Sequence, residues 1–339
     1  MSKRESTIRD IALKLDISVS TVSRALRNMP EVNEKTRKKV LEMAEKLNYE
    51  PNRVAQSLRI RRTNTIGVVV PEVEMHFFSS IISGIQETAN SLGFNVMFCQ
   101  SNESYQTELA NIQTMISSRV DGLLISLSRE TRNPDHIHHL LKKSIPVVLF
   151  DRVIDDIDTS KVIVDDYEGA FHAVSYIIKT GCTRIAYLGG PSDMSISNYR
   201  LKGYLDALKH EKASQEPMVV HCENLEEGAA IGANELLASD NPPDAIFCFN
   251  DPVAIKVIQV IKEKGLKIPD EIAVVGFTDD PISALITPSL TTVMQPSYEM
   301  GKVAAQLLIK HITTKDDFVP EIKILKTKLA IRESTRKLK

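Results

Sequence analysis

Thr7-Ile8-Arg9-Asp10-Ile11-Ala12, then Ile17-Ser18-Val19-Ser20-Thr21-Val22-Ser23-Arg24-Ala25-Leu26, then Asn48-Tyr49-Glu50-Pro51-Asn52-Arg53-Val54-Ala55-Gln56-Ser57-Leu58 decide how the first sixty residues fold. Thr7 followed three positions later by Asp10 is a capping-box-like start, with Asp in place of Glu or Gln. Ile8, Ile11, Ala12 and Leu15 then recur at helical spacing. Asp16-Ile17 makes a turn, and Ser18 can cap a second helix that faces Val22, Ala25 and Leu26 inward. Asn33 can cap a third, with Val40, Met43, Ala44 and Leu47 inside. The order is helix, short turn, helix, helix, then a connecting segment. A small three-helix bundle with no further role would read the same way from apolar spacing alone.

Charge and the outward residues narrow the choice. Residues 1–62 carry 15 Lys/Arg and 8 Asp/Glu, a net +7, while the remainder carries 27 and 36, a net −9. A basic head on an acidic body suggests a nucleic-acid module joined to something that is not one. A helix lying in the major groove presents its N-terminal side chains to base edges. Arg24 can make a bidentate contact to guanine, Val19 can press on a thymine methyl, and Ser20 can bond either kind of edge. Ser18, Thr21 and Asn33 are short polar groups suited to phosphates, which position the protein without specifying sequence.

These blocks resemble the LacI/GalR family of bacterial regulators. The resemblance rests on Thr21-Val22-Ser23-Arg24, on Lys35-Thr36-Arg37-Lys38-Lys39-Val40, and on Asn48-Tyr49-x-Pro51-Asn52-x-Val54-Ala55-x-x-Leu58, at matching spacing. It implies that Val19, Ser20 and Arg24 read bases. It also implies that Asn52–Leu58 is a hinge helix, with Asn52, Ala55 and Leu58 at the minor groove and Leu58 as the wedge. Residues 1–51 are then the helix-turn-helix domain and 52–62 the hinge and linker.

At 339 residues the chain is long enough for two or three units. From Thr65 onward, strand-like runs alternate with helical patterns. The runs are Ile66–Val70, Val96–Cys99, Gly122–Ser126, Val147–Phe150, Val162–Val164, Arg184–Leu188, Met218–Cys222, Ala245–Asn250 and Ile272–Phe277. Ser79–Leu92, Thr107–Ser118, Glu168–Thr180 and Tyr199–Glu211 are helix-like. Such alternation implies parallel sheets covered on both faces. The expected fold is therefore an all-α helix-turn-helix headpiece plus an α/β core of two doubly wound parallel-sheet lobes. The core is similar to periplasmic sugar-binding proteins. That likeness implies a first lobe of about 63–164 and 294–323, and a second of about 165–293 and 324–339.

Ligands of open α/β units bind beyond the carboxyl ends of strands. Phe77, Phe78, Ser126, Asp151, Arg152, Arg200, Asn250 and Gln295 fall at such ends. Sugar hydroxyls need paired donors and acceptors and sugar ring faces need aromatic walls, which is this mixture. The family likeness places Asp151, Arg200 and Asn250 at ligand hydroxyls. Alternatively, Asp151 can cap a turn and Arg200 can pair with Asp206 or another acid. One departure concerns Asp279. The family often has Asp directly after Gly-Phe/Tyr, whereas here Gly276-Phe277 is followed by Thr278 and then Asp279-Asp280. Asp279 is included among the expected effector contacts, with its reach into the site in doubt. His76, Tyr167 and Phe249 are possible neighbours.

Other chemistry finds little support. Cys99, Cys182, Cys222 and Cys248 lack metal-ligand spacing, and Cys99 and Cys248 sit in apolar runs as expected buried thiols. His136, His138 and His139 read as a solvated helix start. Gly189-Gly190-Pro191 is a turn, not a phosphate loop. No nucleophile motif appears. No metal, cofactor or catalytic role is expected, and no stretch approaches the roughly 18 apolar residues of a membrane span. The expectation is a cytoplasmic, sugar-controlled repressor. It would bind a pseudo-palindromic operator in double-stranded DNA as a homodimer, since one head reads one half-site and residues 331–339 carry no leucine heptads. The rival is a two-lobed sugar-binding protein for transport or sensing, which the basic head and the absence of an apolar leader in MSKRESTIRD argue against.

Overall fold

The computed structural model describes residues 6–49, 62–211, 216–222, 225–314 and 318–338. The chain divides into two compact units, 1–63 and 64–339.

The first unit holds α1 (Ile8–Leu15), α2 (Val19–Leu26) and α3 (Glu34–Lys46). Asp10 accepts from both the backbone N–H and the hydroxyl of Thr7 at 2.7 Å, which fastens the start of α1. Asp16 closes that helix in the left-handed conformation, φ 52°, a region Asp tolerates better than most residues. Ser18 Oγ accepts from Thr21 N at 3.1 Å, and Asn33 Oδ1 accepts from Thr36 N at 2.8 Å, so both expected caps form. Ile11, Ala12, Val22, Ala25, Val40 and Ala44 make the core, joined by Val32 from the loop before α3. Arg37 donates to the carbonyls of Met29 and Val32, which ties that loop to α3.

The second unit contains two six-stranded sheets. The first runs β2 (Asn95–Gln100), β1 (Thr65–Val70), β3 (Gly122–Ile125), β4 (Val147–Phe150), β5 (Ser160–Val164), β11 (Ile322–Leu325), all parallel. The second runs β7 (Met218–His221), β6 (Ile185–Gly189), β8 (Ala245–Cys248), β9 (Ala273–Thr278), β10 (Thr291–Met294), β12 (Lys328–Ala330). In it only β12 is antiparallel to its neighbour. Central strands such as Gly122–Ile125 and Val147–Phe150 are buried throughout, as unbroken apolar runs require when helices cover both faces.

On the first sheet, α4 (His76–Ser91) and α11 (Ser297–Thr314) cover one face, with Phe78, Ile81, Ile85, Leu308 and Ile312 interdigitating. The other face takes α5 (Tyr105–Ser117) and α6 (Asp135–Lys142) through Ile112, Met115, Ile137 and Leu140. On the second sheet, α9 (Leu225–Ala238) and α10 (Asp251–Glu263) cover one face, and α7 (Asp166–Lys179) and α8 (Ser195–His210) the other. The chain changes sheet after Val164, after Met294 and after Leu325. The lobe limits expected at 294 and 323 thus cut into the ends of β10 and β11. No helix among the described residues is long and apolar enough to cross a membrane.

Two expectations about side chains need correction. His136 is not solvated. It is buried, its Nε2 lies 2.8 Å from Oε1 of the fully buried Glu108, and its ring meets Tyr105 edge-on at 5.4 Å. That contact has an ion-pair distance but lies off the direction of a hydrogen bond. Cys99 is only half-buried, because β2 is an edge strand, whereas Cys248 is fully enclosed and burial pushes its thiol well up.

Candidate functional site

In the headpiece, Val19, Ser20 and Arg24 are exposed, while Val22 and Ala25 on the opposite face of α2 are buried. An eight-residue helix thus turns its apolar stripe inward and leaves its N-terminal polar face to solvent. Ser18 and Asn33 are exposed too, but their oxygens are engaged in capping. Ser18 Oγ also lies 2.7 Å from Ser20 Oγ and 2.8 Å from Thr21 Oγ1. Capping leaves the Asn33 amide NH2 and the N–H groups of the helix starts for an anion. Helix N-termini suit phosphate for that reason. Asn52, Ala55 and Leu58 lie outside the described residues.

In the body, the candidate ligand residues gather at the carboxyl ends of the strands. In both sheets the strand order reverses beside the first strand: between β1 and β3, and between β6 and β8. At the first reversal stand Phe77 and Phe78, opening α4, and Ser126, directly after β3. At the second stand Arg200 in α8 and Asn250, the cap of α10, whose Oδ1 accepts from Val253 N at 3.0 Å. Open α/β folds hold ligands at such points.

Asp151 and Arg152 follow β4. Asp151 is buried with φ 58°, and burial raises its carboxyl from 3.8 to about 7. Arg152 and, from the other lobe, Arg200 oppose that rise, and Asp166 adds to it. The carboxyl of one lobe therefore feels the charges of the other, so the two sets of strand ends face each other. Lobe-to-lobe contacts join them. Tyr199 Oη donates to Asp155 at 3.0 Å, Ser195 Oγ donates to Val153 O at 3.4 Å, and Arg132 pairs with Asp193.

Arg200 is 3% exposed and closely held. Its Nε donates to Asp166 Oδ1 at 2.8 Å, its Nη2 stands at an ion-pair distance of 2.7 Å from the same oxygen, and its Nη1 donates to Phe249 O at 2.6 Å. Its guanidinium stacks 3.7 Å over Phe277 and 4.8 Å over Phe249. Gly203 makes this possible: a Cβ there would come within 2.4 Å of Tyr167 O, so only glycine lets α8 lie close enough to α7 to set Arg200 on Asp166. The expected partner Asp206 instead accepts from Tyr167 Oη at 3.1 Å.

Asp279 is a correction. Its Oδ1 accepts from Arg332 Nη2 at 2.6 Å, at φ 64°, so the carboxylate is committed to the segment after β12. Thr278, one position earlier, has φ 142°. Thr278 ends β9 in register with Met294, so the acid falls one position past the strand end. Asp251, which the sequence places beside Asn250 at a strand end without a role, organises this turn. It is fully buried and accepts from Asp280 N at 2.8 Å, from Ser283 Oγ at 2.7 Å and from Thr292 Oγ1. Gly276 leaves room for it, since a Cβ there would lie 2.2 Å from Asp251 Oδ1. From sequence the pair Asp165-Asp166 reads as surface or loop acids, but Asp166 is buried against Arg200, 34 residues away, and Glu103 was missed because its partner lies 49 residues away.

Some buried polar atoms have no partner. Ser126 Oγ, Ser197 Oγ and the Gln295 side-chain nitrogen make no hydrogen bond, although each is enclosed. Phe78 is 2% exposed and belongs mainly to the first lobe's core, packed edge-on against Phe77 at 5.2 Å.

An exposed helix-turn-helix face joined in one chain to a two-lobed α/β body, with site residues at both switch points, defines a ligand-responsive DNA-binding transcriptional regulator. The chain belongs to the LacI family. The family model "Bacterial regulatory proteins, lacI family" matches residues 7–52, and "Periplasmic binding proteins and sugar binding domain of LacI family" matches residues 63–333. The chain is 36% identical over 340 residues to the probable HTH-type transcriptional repressor ExuR of Bacillus subtilis (strain 168), covering 98% of this chain and 99% of that one. It is 32% identical to catabolite control protein A of Priestia megaterium, covering 97% and 99%. Among solved structures, the lac repressor dimer bound to operator and the anti-inducer ONPF superposes with a TM-score of 0.87 at 25% identity, over 98% of this chain and 100% of that one. A CelR–cellobiose complex gives 0.73 at 28%, over 97% and 99%.

Proposed function

We propose that the protein is a cytoplasmic repressor that binds a pseudo-palindromic operator as a homodimer and is switched by a sugar or sugar derivative held between its lobes. The observation that carries the ligand reading is the set of enclosed polar atoms without partners at the facing strand ends, Ser126 Oγ, Ser197 Oγ and the Gln295 amide. Unpartnered polar atoms also occur elsewhere, at Tyr187 Oη and Ser175 Oγ, but these three gather at the facing strand ends, where a polyhydroxylated guest supplies the missing bonds. Asp151 and the Asn250 amide NH2 complete the hydroxyl contacts, Phe77 forms the apolar wall, and Arg200 and Arg152 frame the floor. Asp279 has no place in this set.

On DNA, Val19, Ser20 and Arg24 read base edges, and Ser18, Thr21 and Asn33 position phosphates. Asn52, Ala55 and Leu58 act at the minor groove, where Leu58 wedges between base pairs and kinks the duplex. Effector binding shifts operator affinity only as far as the ligand prefers one lobe arrangement over the other.

The test is a titration of full-length protein on its operator with and without a panel of sugars, followed by circular-permutation gel shift. One sugar is expected to change operator affinity, and Leu58→Ser is expected to reduce the bend while keeping that sugar's affinity. A panel in which no sugar alters operator binding overturns the effector reading. A Leu58→Ser protein that bends DNA as strongly as wild type overturns the wedge.

A further inference from the structure

We propose that Glu103 sets the charge selectivity of the cleft: by clamping Arg152 it makes the site reject phosphorylated and uronic sugars and accept uncharged polyols. This rests on the reading of the cleft as a sugar site.

An anionic ligand needs a cation that the protein has not already neutralised, and among the described residues the guanidinium groups at the strand ends are all engaged. Arg200 is held by Asp166, Arg332 by Asp279 and Arg132 by Asp193. Arg129 lies close enough to Glu72 to oppose the burial that pushes its carboxyl up. Arg152 is the cation beside Asp151, and its Nη1 donates to both oxygens of Glu103, at 2.8 and 2.7 Å. The pair is not deeply enclosed, with side chains 14% and 15% exposed, so solvent and small solutes can reach it.

Glu103 is not free to swing away. It follows Asn102 in a left-handed pair, φ 51° and 58°, in the loop between β2 and α5, and its Oε2 also accepts from Arg129 N at 2.7 Å. Below, the Arg152 guanidinium lies 5.8 Å from the Phe78 ring centre. The guanidinium is thus held by Glu103 and backed by Phe78, with its charge offset.

What remains open carries no uncompensated positive charge. Ser126 Oγ, Ser197 Oγ, the Gln295 amide and Arg152 Nε make no hydrogen bond, the last on a guanidinium whose charge Glu103 offsets, and Asp151 lies 3.9 Å from that Nε. An anion entering here would meet the Glu103 carboxylate and, above about pH 7, that of Asp151, with each guanidinium already paired to an acid. A neutral hydroxyl can donate to the same carboxylate at no such cost. Discrimination of this kind comes from a repulsive element as much as from an attractive one.

The experiment is calorimetry on the full-length protein with matched trios: galactose, galacturonate and galactose 1-phosphate; glucose, glucuronate and glucose 6-phosphate. Wild type is expected to bind a neutral member and not its charged partners. Glu103→Gln keeps an acceptor for Arg129 N while freeing the Arg152 charge. It is expected to gain about tenfold or more in affinity for the charged partners, with the neutral member changed by no more than about threefold. The double variant Glu103→Gln/Arg152→Gln is expected to lose that gain, and should Glu103→Gln fold poorly, Glu103→Ala serves in its place. A purely structural pair would lower all affinities together and leave their ratio unchanged, and that result overturns the proposal. So does wild type that prefers a charged member, although the sugar reading then stands. Silence from every trio, with binding of a non-sugar, overturns the sugar reading and the selectivity inference with it.

Discussion

The headpiece and the body handle their functional side chains in opposite ways. In the headpiece, Val19, Ser20 and Arg24 stand exposed on α2, and the core beneath them is apolar, with the helix caps made within three residues. In the body, Arg200, Arg152 and Asp279 are each tied to an acid or base at least 34 residues away. DNA is a large anion of fixed shape, so a face that reads it can remain solvated until contact. A small ligand is enclosed, so the groups that hold it must be oriented and desolvated beforehand, which needs partners. Substitution should therefore cost folding stability in the body and spare it in the headpiece.

The strongest test of that contrast is Arg200→Ala. It leaves Asp166 buried without its cation, and breaking such a pair typically costs about 3–5 kcal/mol. Urea unfolding should show a large loss, and calorimetry should show effector binding abolished. Unchanged stability would mean that the pair is not held as the structure shows.

Asp151 gives a pH-dependent test. Its folded carboxyl titrates near 7 against 3.8 in the unfolded chain. Below about pH 4 both states are protonated and the group contributes nothing. Between there and about 7 the unfolded chain ionises while the folded one does not, so stability falls as pH rises, and above 7 the loss is constant. Asp151→Asn stays neutral throughout. Its thermal midpoint should exceed wild type at pH 8, with the gain shrinking toward zero near pH 4, while effector affinity drops. An equal midpoint difference at both pH values would refute the buried-acid account.

Arg24→Ala should leave the melting temperature unchanged and weaken operator binding by about 1–3 kcal/mol. Binding to random DNA should change less, and a base scan should show relaxed preference at one symmetric pair of positions. Equal loss on operator and random DNA would make Arg24 a phosphate contact.

The smallest effect is expected from Ser18→Ala, which removes the cap of α2 and costs about 1 kcal/mol of headpiece stability. Its DNA affinity should fall on operator and random sequence alike. A selective loss on the operator would move Ser18 into the base-reading set.

The three-helix head was legible because its signals are local. A capping pair three residues apart and an apolar stripe at helical spacing specify α1, α2 and α3 without reference to the rest of the chain. The nine named strands were legible as short continuous apolar runs, most of them buried on both faces, although β2 and β7 lie at sheet edges and are only partly covered. β11 and β12 gave no such signal: both are edge strands, and Ile322 and Ile324 of β11 remain exposed. Asp279 shows the limit most plainly. Thr278, standing directly after Gly276-Phe277, sets the acid one position later, but only the folded turn shows that Arg332, 53 positions after Asp279, takes it. His136 likewise read as solvated until Glu108 was found facing it.

By itself, then, the sequence determined the family, the three-helix head and nine of the strands, and it pointed to an outward face on α2 and to the strand ends of the body, because each follows from residue type at fixed short spacing. Only the tertiary structure decided which charges at those ends are cancelled and which polar atoms are left open. Pairing across 34, 49 or 53 residues depends on how strands and helices are brought together, as with α8 on α7 at Gly203. No local pattern encodes that distance.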